Sequence, residues 1–342
     1  MIISIDMKKI AVVYGGDSSE WEVSCRSGEF TASRLDEFRY DVYEIFARHG
    51  RWSLVAMRAS NSMRVPFPEG ARPEVDKTDF SVRLPEGKVT FDYIYIMQHG
   101  TPGETGQLQG YFEMLGIPFS TCSAFVTTVA FDKFACKRYL DGTGIVGLAP
   151  DAFIRKGADV EAFSASVASS LKFPVFVKPT GGGSSFGITK VKDPSELPAA
   201  IRYAFSEGET VLVEQGVSGQ ELTCAVYRDG DSLKALPVIE IITSNDYFDY
   251  DAKYNGNSRE VCPAEIPVEL SDKIQDISKK IYAHLGCRGV VRMDYIAAED
   301  KVWFLEVNII PGMTNASLVP KMVRAAGLSI TDFLTTIIEN TI

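Results

Sequence analysis

Residues 173–191 read FPVFVKPTGGGSSFGITKV, an apolar run from Phe173 to Lys178, a glycine-rich loop, and a return strand from Ile188 to Val191. Gly181, Gly182 and Gly183 lack a Cβ, so their backbone N–H groups are able to close on the oxygens of an anion. Two readings stand side by side at this point: a phosphate cradle, and a flexible glycine hairpin of the kind common between strands. The loop lacks the GK[ST] ending of a Walker A motif, and no GxGxxG follows the first strand. A P-loop NTPase and a dinucleotide site are therefore disfavoured.

Downstream, RMDY and FLEVN place Arg292, Asp294, Glu306 and Asn308 on two strands. Side chains alternate along a strand, so Arg292 and Asp294 share one face, as do Glu306 and Asn308. The flanks Val290, Val291, Phe304, Leu305 and Val307 are apolar and imply burial, where unpaired carboxylates are costly. Oxygen ligands on rigid strands suit Mg2+, which completes its shell with water and phosphate oxygens. Solvated surface acids are the alternative, and the apolar flanks argue against it.

Upstream, the first third alternates strand and helix patterns. Ile10–Tyr14 reads as a buried strand, Val23–Leu35 as a helix, Val89–Met97 as a strand, Gln107–Leu115 as a helix and Ile117–Ser120 as a short strand. This is the pattern of a parallel, Rossmann-like sheet, whose ligands sit beyond the carboxyl ends of the strands. The loops after Tyr14 and Met97 lie there. A helix over Ala124–Leu140 leads to a smaller unit with strands at Phe173–Lys178, Ile188–Val191 and Thr210–Glu214 and a helix at Pro194–Phe205. A third unit follows, with a hairpin turning at Asp229 and Gly230 between Leu222–Tyr227 and Leu233–Ile242. A helix at Leu270–Leu285, strands at Val290–Ala297 and Val302–Val307, and two terminal helices complete the chain. The polar segment 244–258 is long for a loop in a compact domain and reads as a lid.

The chain has 342 residues, 45% hydrophobic and 23% charged, which fits an ordinary globular protein of two or three domains. Its formal charge of -10 would repel nucleic acid and anionic lipid and favours small substrates. No apolar run is long enough to span a membrane, and the start MIISIDMKKIAVVYGG, interrupted by Asp6, Lys8 and Lys9, does not read as a signal peptide. The six cysteines, Cys25, Cys122, Cys136, Cys224, Cys262 and Cys287, show no metal-ligand spacing and read as reduced core residues.

The blocks GGDSSEWEVS, HGTPGETGQLQG, VKPTGGGSSFG, YFDYDAKY, RMDY and EVNIIPGMTNASLVPK, in this order, resemble the D-alanine:D-alanine ligases of the ATP-grasp superfamily. The resemblance covers nearly the whole chain. It implies an ATP-grasp fold of three α/β domains: a Rossmann-like substrate-binding domain at 1–123, a central domain at 124–210, and a C-terminal domain at 211–342 carrying the lid. The implied enzyme is a cytoplasmic ATP-dependent carboxylate–amine ligase that makes D-alanyl-D-alanine through an acyl phosphate, for peptidoglycan precursors. The family also implies a homodimer. Three departures from its pattern are GETG for the usual GEDG, Ile309 for a threonine, and Gln215 where lysine often stands.

Residue by residue, the resemblance places Lys133, Lys178 and Lys253 at the ATP phosphates and Glu214, Gln215, Val217 and Glu221 around adenine and ribose. Asp294, Glu306 and Asn308 match ligands of two Mg2+ ions, with Mn2+ as a substitute. Arg292 and the Gly312 backbone match the groups that steady the phosphoryl group and the tetrahedral intermediate. Glu20 matches the holder of the first D-alanine's ammonium, with His99 nearby. Ser317 and Leu318 match the holders of the second one's carboxylate, and Ser184 and Tyr254 would link to Glu20. Rival readings are a ligase forming an ester, against which Tyr254 argues, a ligase forming a different dipeptide, and a silent ATP-binding regulator, against which the Asp294, Glu306 and Asn308 set argues.

Overall fold

Lys8–Gly15 (β1) carries Ile10, Ala11, Val12 and Val13, all fully buried, because it runs in the middle of a sheet covered on both faces. Tyr40–Arg48 (β2) pairs with it in parallel, and Arg51–Arg58 (β3) and Val65–Pro66 (β4) extend the sheet antiparallel. A separate small sheet holds Val75–Asp76 (β5), Ser81–Leu84 (β6) and Gly87–Val89 (β7). Tyr93–Ile96 (β8) closes the other side of β1 in parallel, giving the order β4-β3-β2-β1-β8. The expected Rossmann-like parallel core is thus three strands wide with an antiparallel edge. The chain is described here by a computed structural model covering residues 7–183, 187–243, 258–299 and 301–342.

Trp21–Arg34 (α1) packs on β1 through a face of small residues, Ser24, Ser27, Gly28 and Thr31. Ser24 accepts a bond from the Gly15 N–H at 2.9 Å and donates to the Met97 carbonyl at 2.7 Å. One buried hydroxyl thereby ties the carboxyl ends of β1 and β8 to the start of α1. The two loops that leave those ends, carrying Glu20 and His99, are held side by side.

Gln107–Leu115 (α2) forms over the expected residues. The expected helix Ala124–Leu140 is instead two, Ala124–Phe131 (α3) and Lys133–Leu140 (α4). Asp132 is extended, and its Oδ1 accepts from the Ala135 N–H at 2.8 Å, which caps a new helix. Its Oδ2 accepts from Thr180 Oγ1 at 2.7 Å. The break makes Lys133 the first residue of α4.

The second sheet comprises Asp151–Arg155 (β9), Val175–Pro179 (β10), Thr189–Val191 (β11) and Thr210–Gln215 (β12), antiparallel in the order β11-β10-β12-β9. Val160–Ser170 (α5) and Leu197–Glu207 (α6) belong with it. The third sheet runs β16-β15-β13-β17-β18, with β14 on β13. Its strands are Gln220–Asp229 (β13), Ser232–Ala235 (β14), Ile239–Thr243 (β15), Ser258–Val261 (β16), Val291–Ala298 (β17) and Lys301–Asn308 (β18). Val268–Leu285 (α7), Leu318–Ala325 (α8) and Ile330–Glu339 (α9) complete the chain. The first and third sheets share one continuous apolar core, whereas the second packs its own around Val167, Val175, Val177, Ile201, Val211 and Val213.

Three further expectations needed adjustment. Val89–Met97 is not one strand: Val89 ends β7, and Asp92 turns the chain into β8, its N–H and carboxylate both bonded to Lys9 backbone. Leu233–Ile242 splits into β14 and β15 around Pro237, which has no N–H to offer the ladder. Ile117–Ser120 contributes only a single bridge, Ile94 with Phe119. The six cysteines are free, although Cys25 and Cys262 are only half-buried. Among the described residues no helix is long and apolar enough to cross a membrane.

Because Asp132 both caps α4 and holds Thr180, Asp132→Ala should lower stability by about 1–2 kcal/mol, read as a reduced urea midpoint with unchanged slope.

Candidate active site

A cavity of about 550 Å³ opens between the second and third sheets. Lys133, Lys178, Glu214, Gln215, Val217 and Glu221 line it, so the described residues expected around ATP share one cavity, Lys178 and Glu214 from the second sheet and Glu221 from β13 of the third. Lys178 donates to Glu214 Oε2 at 2.7 Å. The other oxygen, Oε1, accepts from Lys137, an ammonium that is 1% exposed and also bonds the Ala149 carbonyl at 2.8 Å and Asp151 at 2.6 Å. Burial works against the Glu214 carboxylate, but the ammoniums of Lys178 and Lys137 hold its pKa below the ordinary value. Gln215 Oε1 accepts from the Lys172 N–H at 3.1 Å.

On the opposite wall β17 and β18 pair Arg292 with Asn308 and Asp294 with Glu306. Directly opposed residues of an antiparallel pair point to one face, so all four converge as the alternation predicts. Arg292 forks onto Asp294 with two bonds of 2.9 Å; Thr223 Oγ1 donates to the same carboxylate at 2.6 Å and Asn308 Nδ2 at 3.0 Å. Burial opposes the guanidinium's charge, but Asp294 with Glu306 and Glu104 raises its pKa, and it stays a cation. Lys133 Nζ donates to the Gly182 carbonyl at 2.9 Å and lies 3.4 Å from Glu306.

A second cavity, of about 420 Å³, continues toward the first sheet and is lined by Glu20, His99, Glu104, Gly312, Ser317 and Leu318. Lys133, Gly182, Gly183, Arg292 and Glu306 line both cavities, so the two meet there. Gly183 runs close to Glu20: a Cβ on it would lie 2.5 Å from Oε2, so a larger residue would push the carboxylate aside. His99 is buried beside Ser27 Oγ at 3.3 Å; burial lowers its pKa, partly offset by Glu20, and leaves the ring neutral at pH 7. Ser317 precedes α8 without capping it, and its Oγ accepts from the Thr314 N–H at 2.9 Å. The first N–H groups of α8 therefore face the cavity without that cap and suit a carboxylate.

Two residues were not singled out from sequence. Glu104 accepts from the Gly100 N–H at 2.8 Å, and burial together with the Glu20 carboxylate pushes its pKa up to about 8. Its signal was an acid between the glycines of a loop at a strand end. Lys137 was legible only as a lysine four residues after Lys133, between the buried Cys136 and a polar neighbour. Ser184, Lys253, Tyr254 and residues 244–257 of the expected lid lie outside the described residues, and Ser258 begins β16.

Asp294, Glu306 and Asn308 offer two carboxylates and an amide, hard oxygen donors of the kind Mg2+ prefers. Among the described residues no three His, Cys, Asp or Glu side chains gather to hold a metal on their own. The set fits an ion that shares its shell with phosphate oxygens.

Three α/β sheets with a charged crevice between the second and third, opening into a pocket on the first, define an ATP-grasp ligase. The model of the D-Ala D-Ala ligase N-terminus matches residues 9–122, and that of the D-Ala D-Ala ligase C-terminus residues 143–339. The D-alanine–D-alanine ligase of Phocaeicola vulgatus is 43% identical over 334 residues, 97% of this chain and 99% of that protein. That of Bacteroides thetaiotaomicron is 44% identical over 334 residues with the same coverage. Among solved structures, the VanG D-Ala:D-Ser ligase from Enterococcus faecalis superimposes with a TM-score of 0.86 at 31% identity, covering 98% of this chain and 100% of that one. The D-alanine–D-alanine ligase from Bacillus anthracis complexed with ATP gives 0.75 at 29%, covering 97% of each. The chain belongs to the D-alanine–D-alanine ligase family and is a ligase.

The raised pKa of Glu104 sets a pH dependence. Between the ordinary carboxyl value and about 8 the folded state holds a proton that the unfolded state has released, so stability falls as pH rises through that window. Glu104→Gln keeps the acceptor and removes the titration. Relative to wild type, this variant should gain about 1 kcal/mol or more between pH 6 and pH 9 in urea unfolding, the gain rising with pH.

Proposed function

We propose that the chain joins two D-alanine molecules at the cost of one ATP, with the nucleotide in the larger cavity and both amino acids in the smaller. The observation that carries this reading is the meeting of the two cavities at Lys133, Arg292, Glu306 and the glycines of the 178–187 loop. Phosphates lying there face three cations, Lys133, Lys178 and Arg292, in a site withdrawn from bulk water, where such charges count most. Glu214, Gln215, Val217 and Glu221 enclose the base and ribose. Asp294, Glu306 and Asn308 would hold Mg2+, which when bound neutralises phosphate charge.

The first D-alanine sits with its ammonium on Glu20, beside neutral His99, and its carboxylate toward Arg292. That carboxylate oxygen attacks the γ-phosphorus; the bond to the ADP oxygen breaks and an acyl phosphate forms. The second D-alanine is held by its carboxylate at Ser317 Oγ and the Leu318 N–H. Its amine, once deprotonated, attacks the acyl carbon. Arg292 and the Gly312 N–H steady the developing oxyanion until phosphate leaves. The reading carried from sequence adds Lys253 at the phosphates, and Ser184 and Tyr254 as a link to Glu20.

A cytoplasmic location follows from the need for ATP and D-alanine together. A homodimer belongs to the same reading; the exposed rings of Phe125 and Tyr139, 6.2 Å apart, give it an apolar surface.

The Enterococcus faecalis relative is a D-Ala:D-Ser ligase, so the acceptor is the point to test. With D-alanine and D-serine supplied equally, mass spectrometry of the products should show D-alanyl-D-alanine in clear excess, with ADP release dependent on D-alanine. A dominant D-alanyl-D-serine peak would overturn the acceptor assignment. Asp294→Ala should keep its circular dichroism spectrum yet lose roughly 100-fold or more in kcat, because it loses an oxygen ligand and frees Arg292 together. Near-normal turnover at saturating Mg2+ would refute the metal assignment.

A further inference from the structure

Lys137 is a lysine buried to 1% exposure at a distance from the reacting groups. Of the three N–H donors of its ammonium, two go to the Ala149 carbonyl and Glu214 Oε1, and Asp151 Oδ2 lies 2.6 Å from the nitrogen as an ion-pair partner. The charge is answered within the protein. The acceptors come from β12, from β9 and from the segment leading into β9, and Glu214 and Asp151 are direct register partners in that sheet. Lys137 itself sits on α4, four residues after Lys133 and therefore on the same helix face.

The network is asymmetric in a way that concerns the nucleotide. Glu214 gives one oxygen to Lys137 and the other to Lys178 on β10. The single carboxylate thus lies between a fully buried lysine and one that lines the larger cavity. Lys133, at the start of the helix that Lys137 anchors, lies where the two cavities meet. Arg138 adds a second cation to Asp151 at 2.7 Å, so that acid is also held from both sides.

We propose that Lys137 is a positioning residue that sets the spacing of Lys133 and Lys178, the two lysines at the nucleotide's phosphates. It acts through α4 on one and through Glu214 on the other, and touches no substrate. The inference rests on the reading that the larger cavity takes the nucleotide.

A buried ion network that served folding alone would weaken every ligand of the cavity equally or none, whereas a spacing role falls on phosphates. The test is calorimetric titration of ADP and of adenosine, with magnesium chloride, into the full chain, beside KM for D-alanine. Lys137→Met keeps the aliphatic stem and removes the charge. It should weaken ADP about tenfold and adenosine, which shares only Glu214 of these groups, by no more than about threefold, with the D-alanine KM within about twofold. Asp151→Asn leaves Lys137 on Glu214 and Ala149 and should weaken ADP about threefold with adenosine unchanged; it decides the matter if Lys137→Met does not fold. Equal loss for ADP and adenosine, or no loss for either, would overturn the proposal. Wild-type protein that binds no ADP at all would instead sink the nucleotide reading on which it rests.

Discussion

Burying a carboxylate is tolerated only where opposite charge and hydrogen bonds replace water, and the architecture of this site follows from that constraint. Glu214 is 5% exposed and Asp294 is 7% exposed, and each is answered by cations: Lys137 and Lys178 for the first, Arg292 for the second. The cations come from different elements, so satisfying the acids fixes α4 against the second sheet and orients Arg292 within the third. Removing one partner would leave a buried charge uncompensated, which typically costs several kcal/mol. The same groups that hold the walls together therefore face the ligand in fixed directions, with little reorganisation left for the moment of reaction.

Much of this was legible in the sequence, for identifiable reasons. The alternation of RMDY and FLEVN placed Arg292 with Asp294 and Glu306 with Asn308, and the strand register brings both pairs to one face, because a period of two leaves no freedom once the flanks are buried. Lys178 and Glu214 were assigned to one pocket and share it. The misses are of another kind. Asp132 breaks the helix between Phe131 and Lys133, a local capping bond that an apolar period across the segment conceals. Lys137 and Glu104 matter through partners remote in the chain, Glu214 at 77 positions and Glu20 at 84, and no local pattern encodes such a meeting. Pro237 was readable as a ladder-breaker, but the hairpin turn at Gly230 suggested one continuous arm.

The division of the apolar core gives the crevice its setting. The first and third sheets share one core, so the floor of the smaller cavity, from Glu20 and His99 to Ser317, is built on a single packed body. The second sheet packs around its own residues, and its charged contacts with that body include Lys137 of α4 with Glu214 and Asp151. Apolar packing is intolerant of displacement, whereas the walls of the crevice between the second and third sheets are lined by charged groups rather than by a shared apolar core. A ligand with several charges is accordingly able to enter between the second sheet and the rest without disturbing either core.

Charge balance decides how the substrates are received. Along the larger cavity Lys133, Lys178, Lys190 and Arg292 stand against Glu214, Glu221, Glu240, Asp294 and Glu306, four cations to five carboxylates, so these wall residues are close to charge balance. The smaller cavity differs, because among the described residues it adds Glu20, Glu104 and Glu260, the last paired with Lys321, with only the exposed Arg26 among its lining residues as a further cation. Glu20 and Glu104 so close together do not both ionise readily, and Glu104 is the one that takes up a proton. On the proposed function, a zwitterion entering this cavity would meet the Glu20 carboxylate with its ammonium, and an arginine and an uncapped helix start with its carboxylate. A simple carboxylic acid would bring no cation to Glu20, and a simple amine would leave the helix start unused. The cavity is thus matched to amino acids as a class before any contact with a side chain is made.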